Sequence, residues 1–304
     1  MRPDAAVVIV NYRSAELVLE CLAALPAAAG PLRLETVVVD NASGDGSVER
    51  LHDAPIDRLI ARADNGGFAV GVNAGFAATE APYVVVINPD ARPHPGSIAR
   101  LVAHLEANPA CGLAAPRLRN ADGTPQPSAY RRFPGLGIQL AELSVPIGYA
   151  QLLAPRLDVH RIAPTEFATG RRVAHVYGAC MAIRRRAFDA VGPFDEGFFL
   201  YLEETEWQRR AAKGGWTIEL VADAEVTHLV RGGGDASIAP PPQYLRSAER
   251  YLAGLGWPRP VSRLALRLSV LGSWAFLEAV AAVKRDDLRR RRAAAWRRLA
   301  LGGA

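Results

Sequence analysis

Cysteine is scarce in this sequence: Cys21, Cys111 and Cys180 are the only three among 304 residues, far apart and without a Cys-x-x-Cys spacing. That pattern suggests neither a disulfide framework nor a zinc site and fits a reducing compartment. Long apolar runs are missing too. The nearest to the about 20 residues that span a bilayer, Leu264 to Val283, is interrupted by Arg267 and Glu278. A spanning helix is therefore not expected, whereas a helix lying on a membrane surface stays open. The N-terminal apolar run, Ala5 to Val10, is too short for a signal peptide, so a cytoplasmic protein is expected. Lysine is nearly absent: of 36 basic residues only Lys213 and Lys284 are lysines. An arginine excess beside abundant alanine has the look of GC-rich coding, and only the placement of the arginines carries information.

What remains is an ordinary globular balance, 50% hydrophobic and 22% charged, in a chain long enough for one large domain or two modest ones. The net charge of +5 raises nucleic acid or an anionic membrane as partner. Its location decides between them. Residues 284 to 304 hold eight basic residues against Asp286 and Asp287, a charge of +6, so residues 1 to 283 sum to −1. No nucleic-acid surface is expected on a body of that charge. The apolar 264 to 283 with its basic flank reads as an interfacial helix, peripheral on the inner face of the cell membrane. The plainer reading is a solvated helix end packed back on its domain.

Along the first 120 residues, short β-branched runs alternate with helix-like stretches, the rhythm of a parallel sheet with crossover helices. Val7 to Val10, Thr36 to Val39, Arg58 to Ala61 and Tyr83 to Ile87 read as strands; Ala15 to Leu25, Ser47 to Asp53, Gly71 to Thr79 and Ser97 to Asn108 read as helices. The strands are almost wholly apolar, as in a sheet covered on both faces. Ligands of such sheets gather at the carboxyl ends of the strands. Those ends carry Asn11-Tyr12, Asp40-Asn41-Ala42-Ser43 and Asn88-Pro89-Asp90. From about Pro116 to Arg172 repeated prolines break the pattern. Order returns with a strand at Val176 to Ile183, a helix at Glu203 to Ala212 and a strand at Thr217 to Val221, and the chain reads as helical after Pro242. The segments expected are 1–115, 116–260 and a helical tail, 261–304.

Each polar cluster has a plain reading and a chemical one. Asp40 can end a strand in an Asp/Asn/Gly turn, or accept hydrogen bonds from a nucleobase or ribose. Asn88-Pro89-Asp90 can stop a strand, since proline cannot continue the ladder, or offer a carboxylate to a divalent cation on a diphosphate. Glu203, Glu204 and Glu206 complement a helix dipole, yet the aromatic run Phe198 to Leu202 before them would bury a carboxylate and raise its pKa toward that of a general base. His228 is either a structural residue or a neutral imidazole beside a carboxylate-bound metal.

Taken in order, Val8-Ile9-Val10-Asn11-Tyr12, Val37 to Ser43, Asn65-Gly66-Gly67 through Asn73-Ala74-Gly75, Asn88-Pro89-Asp90, Gly178-Ala179-Cys180, Gly192-Pro193-Phe194-Asp195-Glu196, Tyr201 to Trp207 and His228 resemble the family 2 glycosyltransferases of GT-A fold. The resemblance covers about residues 5 to 235. Asn-Pro-Asp and the later Gln126 to Pro134 look most like rhamnosyltransferases of bacterial cell-wall and polysaccharide assembly. The resemblance implies an α/β fold with a Rossmann-like, mostly parallel sheet and an inverting, metal-dependent transfer. The donor implied is dTDP-rhamnose or a UDP-sugar, and the acceptor a saccharide or lipid-linked saccharide. It further implies that Asn11, Tyr12, Asp40 and Asn41 border the nucleoside and that Asn65, Asn73 and Asn88 line the nucleotide, with small residues letting backbone approach it. Asp90 with His228 would hold Mg or Mn, and Glu204, or its neighbour Glu203, would be the base. Asn88 stands where the family's metal motif has its first Asp, and Glu204 where it has a catalytic Asp. Trp207 and Tyr201 can stack on an acceptor sugar or belong to the core. A sugar nucleotidyltransferase would instead need a glycine-rich basic loop after the first strand, which Asn11-Tyr12-Arg13-Ser14 is not.

Overall fold

The computed structural model describes residues 2–154, 157–158, 160–162, 170–229, 239–284 and 287–301. The chain runs through β1 (Ala5–Asn11), α1 (Ala15–Ala29), β2 (Leu34–Asp40), α2 (Ser47–Leu51), β3 (Arg58–Ala61), α3 (Phe68–Ala77), β4 (Tyr83–Ile87), β5 (Ala91–Pro93) and α4 (Ser97–Ala107). It continues with β6 (Cys111–Arg119), β7 (Pro125–Gln126), β8 (Ala129–Tyr130), α5 (Leu136–Glu142), α6 (Val145–Leu153), β9 (Arg171–Val173), β10 (His175–Val176), β11 (Cys180–Arg184) and α7 (Arg185–Val191). Then come α8 (Glu203–Lys213), β12 (Thr217–His228), α9 (Pro242–Gly254), α10 (Arg259–Lys284) and α11 (Asp287–Ala300). Two compact units result: Met1–Phe133 with Arg161–Phe199 and Glu203–Gly232, and Pro134–His160 with Leu200–Leu202 and Gly233–Ala304.

The first unit is built on a mixed sheet of order β3-β2-β1-β4-β11-β6-β12-β5. Strands β3, β2, β1 and β4 run parallel, β11 is antiparallel to β4 and β6, and β12 returns parallel to β6. Segments 1–115 and 116–260 thus both feed one sheet. The continuous apolar β1 follows from burial of both faces. Val7 and Ile9 pack with Val18, Leu22 and Leu25 of α1 and Leu101 and Leu105 of α4, while Val8 and Val10 pack with Val72 and Phe76 of α3. That two-residue alternation sends successive side chains to opposite layers.

Two features depart from the expected pattern. The central strand β6 occupies the stretch where Pro116 seemed to break order; Pro116 pairs with Val221 where the β6–β12 register shifts between Val221 and Glu225, and a bulge tolerates a residue with no N–H to donate. The expected strand from Val176 to Ile183 is broken at Tyr177 to Ala179, leaving β10 and β11.

The second unit is helical. Ser262, Leu266, Val270, Ser273, Leu277 and Ala281 form the buried face of α10, and Ser269 and Ser273 donate to the carbonyls of Leu140 (2.9 Å) and Leu143 (2.8 Å) at α5. Val261, Leu264 and Leu268 stay exposed. By length and composition Arg259–Val283 is apolar enough to cross a membrane, although the interrupting charges spoke against a spanning helix. The basic tail is a separate helix rather than a flank of α10: α11 buries Ala293, Trp296 and Leu299 and turns Arg290, Arg291, Arg297 and Arg298 to solvent.

Candidate active site

The carboxyl ends of β1 and β2 lie side by side, with Asn11 opposite Asp40 in register. Both side chains are fully buried. Asn11 Nδ2 donates to Asp40 Oδ2 (3.3 Å) and Ser43 Oγ (3.2 Å), and the Ser43 N–H donates to Asp40 Oδ1 (3.1 Å). Asp40 therefore shapes the loop after β2 as its turn reading requires, and its carboxylate anchors the floor of the strand edge. Asn41 Nδ2 donates to the Gly67 carbonyl (2.9 Å), whereas its Oδ1 is buried with no hydrogen-bond partner among the described residues. An orphaned acceptor of this kind costs about 1–3 kcal/mol unless a ligand donor meets it. Tyr12 is exposed, with the Arg13 guanidinium over its ring. Arg13 and Ala42 both hold left-handed backbone, with φ of 54° and 56°. Tyr201 and Leu202, directly before Glu203, share that conformation at 74° and 68°. Non-glycine residues pay for this geometry, and such strain gathers at functional loops.

The glycines and asparagines around α3 make close contacts within the protein. A Cβ on Gly75 would lie 2.3 Å from Val8 Cγ1, one on Gly71 would lie 2.6 Å from Val10 Cγ1, and one on Gly67, at φ +90°, would lie 2.2 Å from the Phe199 carbonyl oxygen. Gly75 and Gly71 let α3 approach β1 closely, and Gly67 lets the Phe199 backbone approach the start of α3. Asn65 accepts from the Gly67 N–H (3.0 Å) within its own turn. The Asn73 amide clasps the Phe194 backbone, donating to the carbonyl and accepting from the N–H at 2.9 Å each, and also donates to Glu196.

Asp90 and His228, far apart in the sequence, come together. Pairing of β12 with β5 sets His228 opposite Ala91, and the Leu229 N–H donates to the Asp90 carbonyl (3.0 Å). His228 Nε2 then sits 3.4 Å from Asp90 Oδ1, both side chains more than nine-tenths buried. Gln126 of β7 holds the other face of the ring, its Oε1 2.9 Å from Nδ1. Asn88 contributes its backbone, donating to the Ala179 carbonyl (2.9 Å) and accepting from the Ala91 N–H. A buried carboxylate oxygen and a buried imidazole nitrogen converging in this way form a donor set that fits a divalent cation. Arg231 and Gly232 to Gly234, which follow His228, lie outside the described residues.

At the start of α8 the two candidate bases separate. Glu203 is buried, its Oε2 has no hydrogen-bond partner among the described residues, and burial, aided by the neighbouring charge of Glu204, pushes its carboxyl well above the usual range. Glu204 is half-buried beside Gly178, where a Cβ would come within 3.3 Å of Glu204 Cγ. The absence of a side chain at Gly178 keeps room for this carboxylate, and Ala179 next to it ties the same loop to Asn88. Glu206 is held by Arg210 at 2.8 Å. Trp207 is core: fully buried, stacked on Phe194, its Nε1 donating to the Gly192 carbonyl. Tyr201 packs edge-on against Tyr244.

Gln126 and Gly178 stand in motifs that carry the resemblance but with no role of their own there; only the fold reveals their neighbours. Among the described residues, one other cluster brings metal-ligand residue types together, His104, Cys111 and Glu219. There His104 Nε2 lies 2.8 Å from Glu219 Oε2, Cys111 donates to the Leu113 carbonyl, and burial pushes its thiol up to about 12. His104 and Glu219 satisfy each other, Cys111 is bonded to backbone, and a thiolate would be costly.

Residues 6–192 match Glycosyl transferase family 2, more than half of the chain. The chain belongs to glycosyl transferase family 2. This member is 33% identical over 209 residues to the N-acetylglucosaminyl-diphospho-decaprenol L-rhamnosyltransferase of Mycobacterium tuberculosis, covering 64% of this chain and 66% of that protein. It is 27% identical over 218 residues to a low-salt glycan biosynthesis hexosyltransferase of Haloferax volcanii, covering 70% and 63%. The matches thus span just under two thirds of these curated relatives. Among solved structures, the mannosyltransferase PcManGT of Pyrobaculum calidifontis, in complex with GDP-Man and Mn2+, superposes with a TM-score of 0.56 at 18% identity, over 99% of this chain and 87% of that one. TarS 1-349 of S. aureus, in complex with UDP-GlcNAc, gives 0.55 at 14% identity, over 97% and 79%. The family 2 member has the GT-A fold.

Proposed function

We propose that this protein is an inverting, divalent-metal-dependent glycosyltransferase that moves rhamnose from dTDP-rhamnose to a saccharide or lipid-linked saccharide in cell-wall or polysaccharide synthesis. The observation that carries the reading is the convergence of Asp90 and His228 at 3.4 Å on the sheet's ligand edge. The rhamnosyl donor and the lipid-linked acceptor are supported by the likeness to the mycobacterial rhamnosyltransferase. Asp90 and His228 would hold Mg or Mn, which when bound supplies the positive charge that stabilises a diphosphate leaving group. Asn11, Asp40 and Asn41 frame the nucleoside end, where the unpartnered Asn41 Oδ1 can accept from the base or ribose. Glu204, the less buried of the two residues, takes the proton from the acceptor hydroxyl as it attacks the anomeric carbon. One displacement inverts that carbon, and no enzyme nucleophile is required.

A peripheral, cytoplasmic position at the anionic inner surface of the membrane, where a lipid-linked acceptor would be met, is part of this proposal. The exposed apolar residues of α10 and the exposed arginines of α11 support that placement.

The deciding experiment is a thermal-shift and hydrolysis screen of dTDP-, UDP- and GDP-sugars with Mn2+ or Mg2+. Stabilisation and turnover should be greatest with dTDP-rhamnose and should vanish on chelation. A preference for GDP-sugars would sink the pyrimidine role of Asp40 and the rhamnose donor together, and transfer unaffected by chelation would remove the metal.

A further inference from the structure

The hairpin joining β6 to β7 ends in a continuous line of side-chain hydrogen bonds, and its polarity follows from chemistry. Asp122 accepts at Oδ1 from the Thr124 hydroxyl (2.6 Å) and the Thr124 N–H (2.9 Å). Those bonds hold its carboxyl below the usual carboxylate range, so at neutral pH it is an acceptor only. The Thr124 hydrogen is thereby committed, and its oxygen must accept from Asn120 Nδ2, 2.9 Å away. Asn120 then presents Oδ1 to Gln126 Nε2 at 3.0 Å. Gln126 in turn presents Oε1 to His228 Nδ1 at 2.9 Å. Reversing the amides fails at Thr124, where two acceptors would face each other. Gly123, at φ +80°, supplies the turn conformation that closes the hairpin.

An acceptor at Nδ1 requires that this nitrogen carry the ring hydrogen. In the neutral ring the lone pair is then on Nε2, facing Asp90 Oδ1 at 3.4 Å. Two acceptors confronting each other in a buried pocket repel, and an intervening cation turns the repulsion into ligation.

We infer that the Asp122–Thr124–Asn120–Gln126 chain fixes the tautomer of His228, making Gln126 a positioning residue that aims the Nε2 lone pair at a divalent cation shared with Asp90. The inference rests on the metal reading of Asp90 and His228. Outer partners of ligating histidines typically change metal affinity 10–100-fold.

The test begins with the protein free of metal. Long-range 15N–1H correlation of the His228 ring at pH 8, assigned by loss of the signals in His228→Asn, should show the Nδ1–H form. Gln126→Leu should release the ring to a population containing Nε2–H, Gln126→Glu should keep Nδ1–H because one carboxylate oxygen still accepts there although the bond to Asn120 Oδ1 is lost, and Thr124→Val, at an exposed turn, should act in the direction of Gln126→Leu. Mn2+ titrated with and without dTDP, read by electron paramagnetic resonance, should bind at least 10-fold more weakly to Gln126→Leu than to wild type or Gln126→Glu. A wild-type ring carrying Nε2–H or doubly protonated at pH 8 would overturn the inference, as would a tautomer or Mn2+ affinity unmoved by Gln126→Leu. If the tautomers behave as stated but no variant binds Mn2+ even with dTDP, the metal role of Asp90 and His228 is overturned while the hydrogen-bond chain stands.

Discussion

Glu203 and Glu204 are consecutive carboxylates with different surroundings, and their chemistry separates accordingly. Burial makes the folded chain bind the Glu203 proton more tightly than the unfolded chain, whose glutamate titrates near its ordinary value. Between those two values the folded state carries the extra proton, so this group's contribution to stability falls as pH rises. Glu203→Gln, which mimics the neutral form, should therefore leave stability unchanged near pH 4 and raise Tm progressively above it. By pH 8 the gain should be on the order of a few degrees, as about 1 kcal/mol produces in a domain of this size. Thermal melts of the two proteins across pH 4–8 check this, and a constant difference would argue against the buried, protonated state. Glu204→Gln should instead leave the melt nearly unchanged and lower kcat for sugar transfer by about 10²–10⁴, the range of a general base. At this scale the sequence was partly legible. Asp90, His228 and Glu204 stand out by residue type and order, but Asn73 carries the same signal as a ligand asparagine and turns out to clasp Phe194, a partner 121 positions away that no local pattern announces.

Elements reveal themselves when one local rule dominates. β1, β2 and β4 are apolar on both faces and bounded by polar turns, so their positions could be read directly. β6 could not, because Pro116 argues against a central strand unless the bulge in β12 is already known. The glycines of α3 show the same dependence on a neighbour. Glycine inside a helix costs roughly 0.5–1 kcal/mol against alanine, so Gly75→Ala would stabilise an isolated α3. In the folded chain the new methyl would meet Val8 Cγ1 at 2.3 Å, and overpacking of a tight core costs typically 1–3 kcal/mol. The second effect is larger. Gly75→Ala should destabilise by about 1–2 kcal/mol in denaturant titration, and adding Val8→Ala should show favourable coupling in a double-mutant cycle, the pair being less destabilised than the sum of the single changes. Strict additivity would mean that α3 does not need glycine to reach β1.

For the molecule as a whole, the net charge of +5 belongs to its end: +6 in residues 284–304 against −1 elsewhere. The structure alters how that charge must be tested. Because α11 buries Ala293, Trp296 and Leu299, deleting the tail would uncover apolar surface in the helical unit and could create binding rather than abolish it. Arg290, Arg291, Arg297 and Arg298 are exposed, so changing all four to Gln removes charge without disturbing that packing. A basic residue near an anionic bilayer contributes about 1 kcal/mol, and the attraction decays within a Debye length. The fourfold variant should accordingly lose on the order of 10²–10³ in affinity for vesicles containing phosphatidylserine, with wild-type binding weakening steeply between 0.05 and 0.5 M salt. Leu264→Glu with Leu268→Glu should weaken binding at all salt concentrations, because those exposed side chains contribute apolar area rather than charge. Sedimentation with vesicles separates the two contributions. Loss from the leucine pair alone would make α10 the sole anchor, whereas wild-type binding to neutral and anionic vesicles alike would remove the electrostatic role of α11.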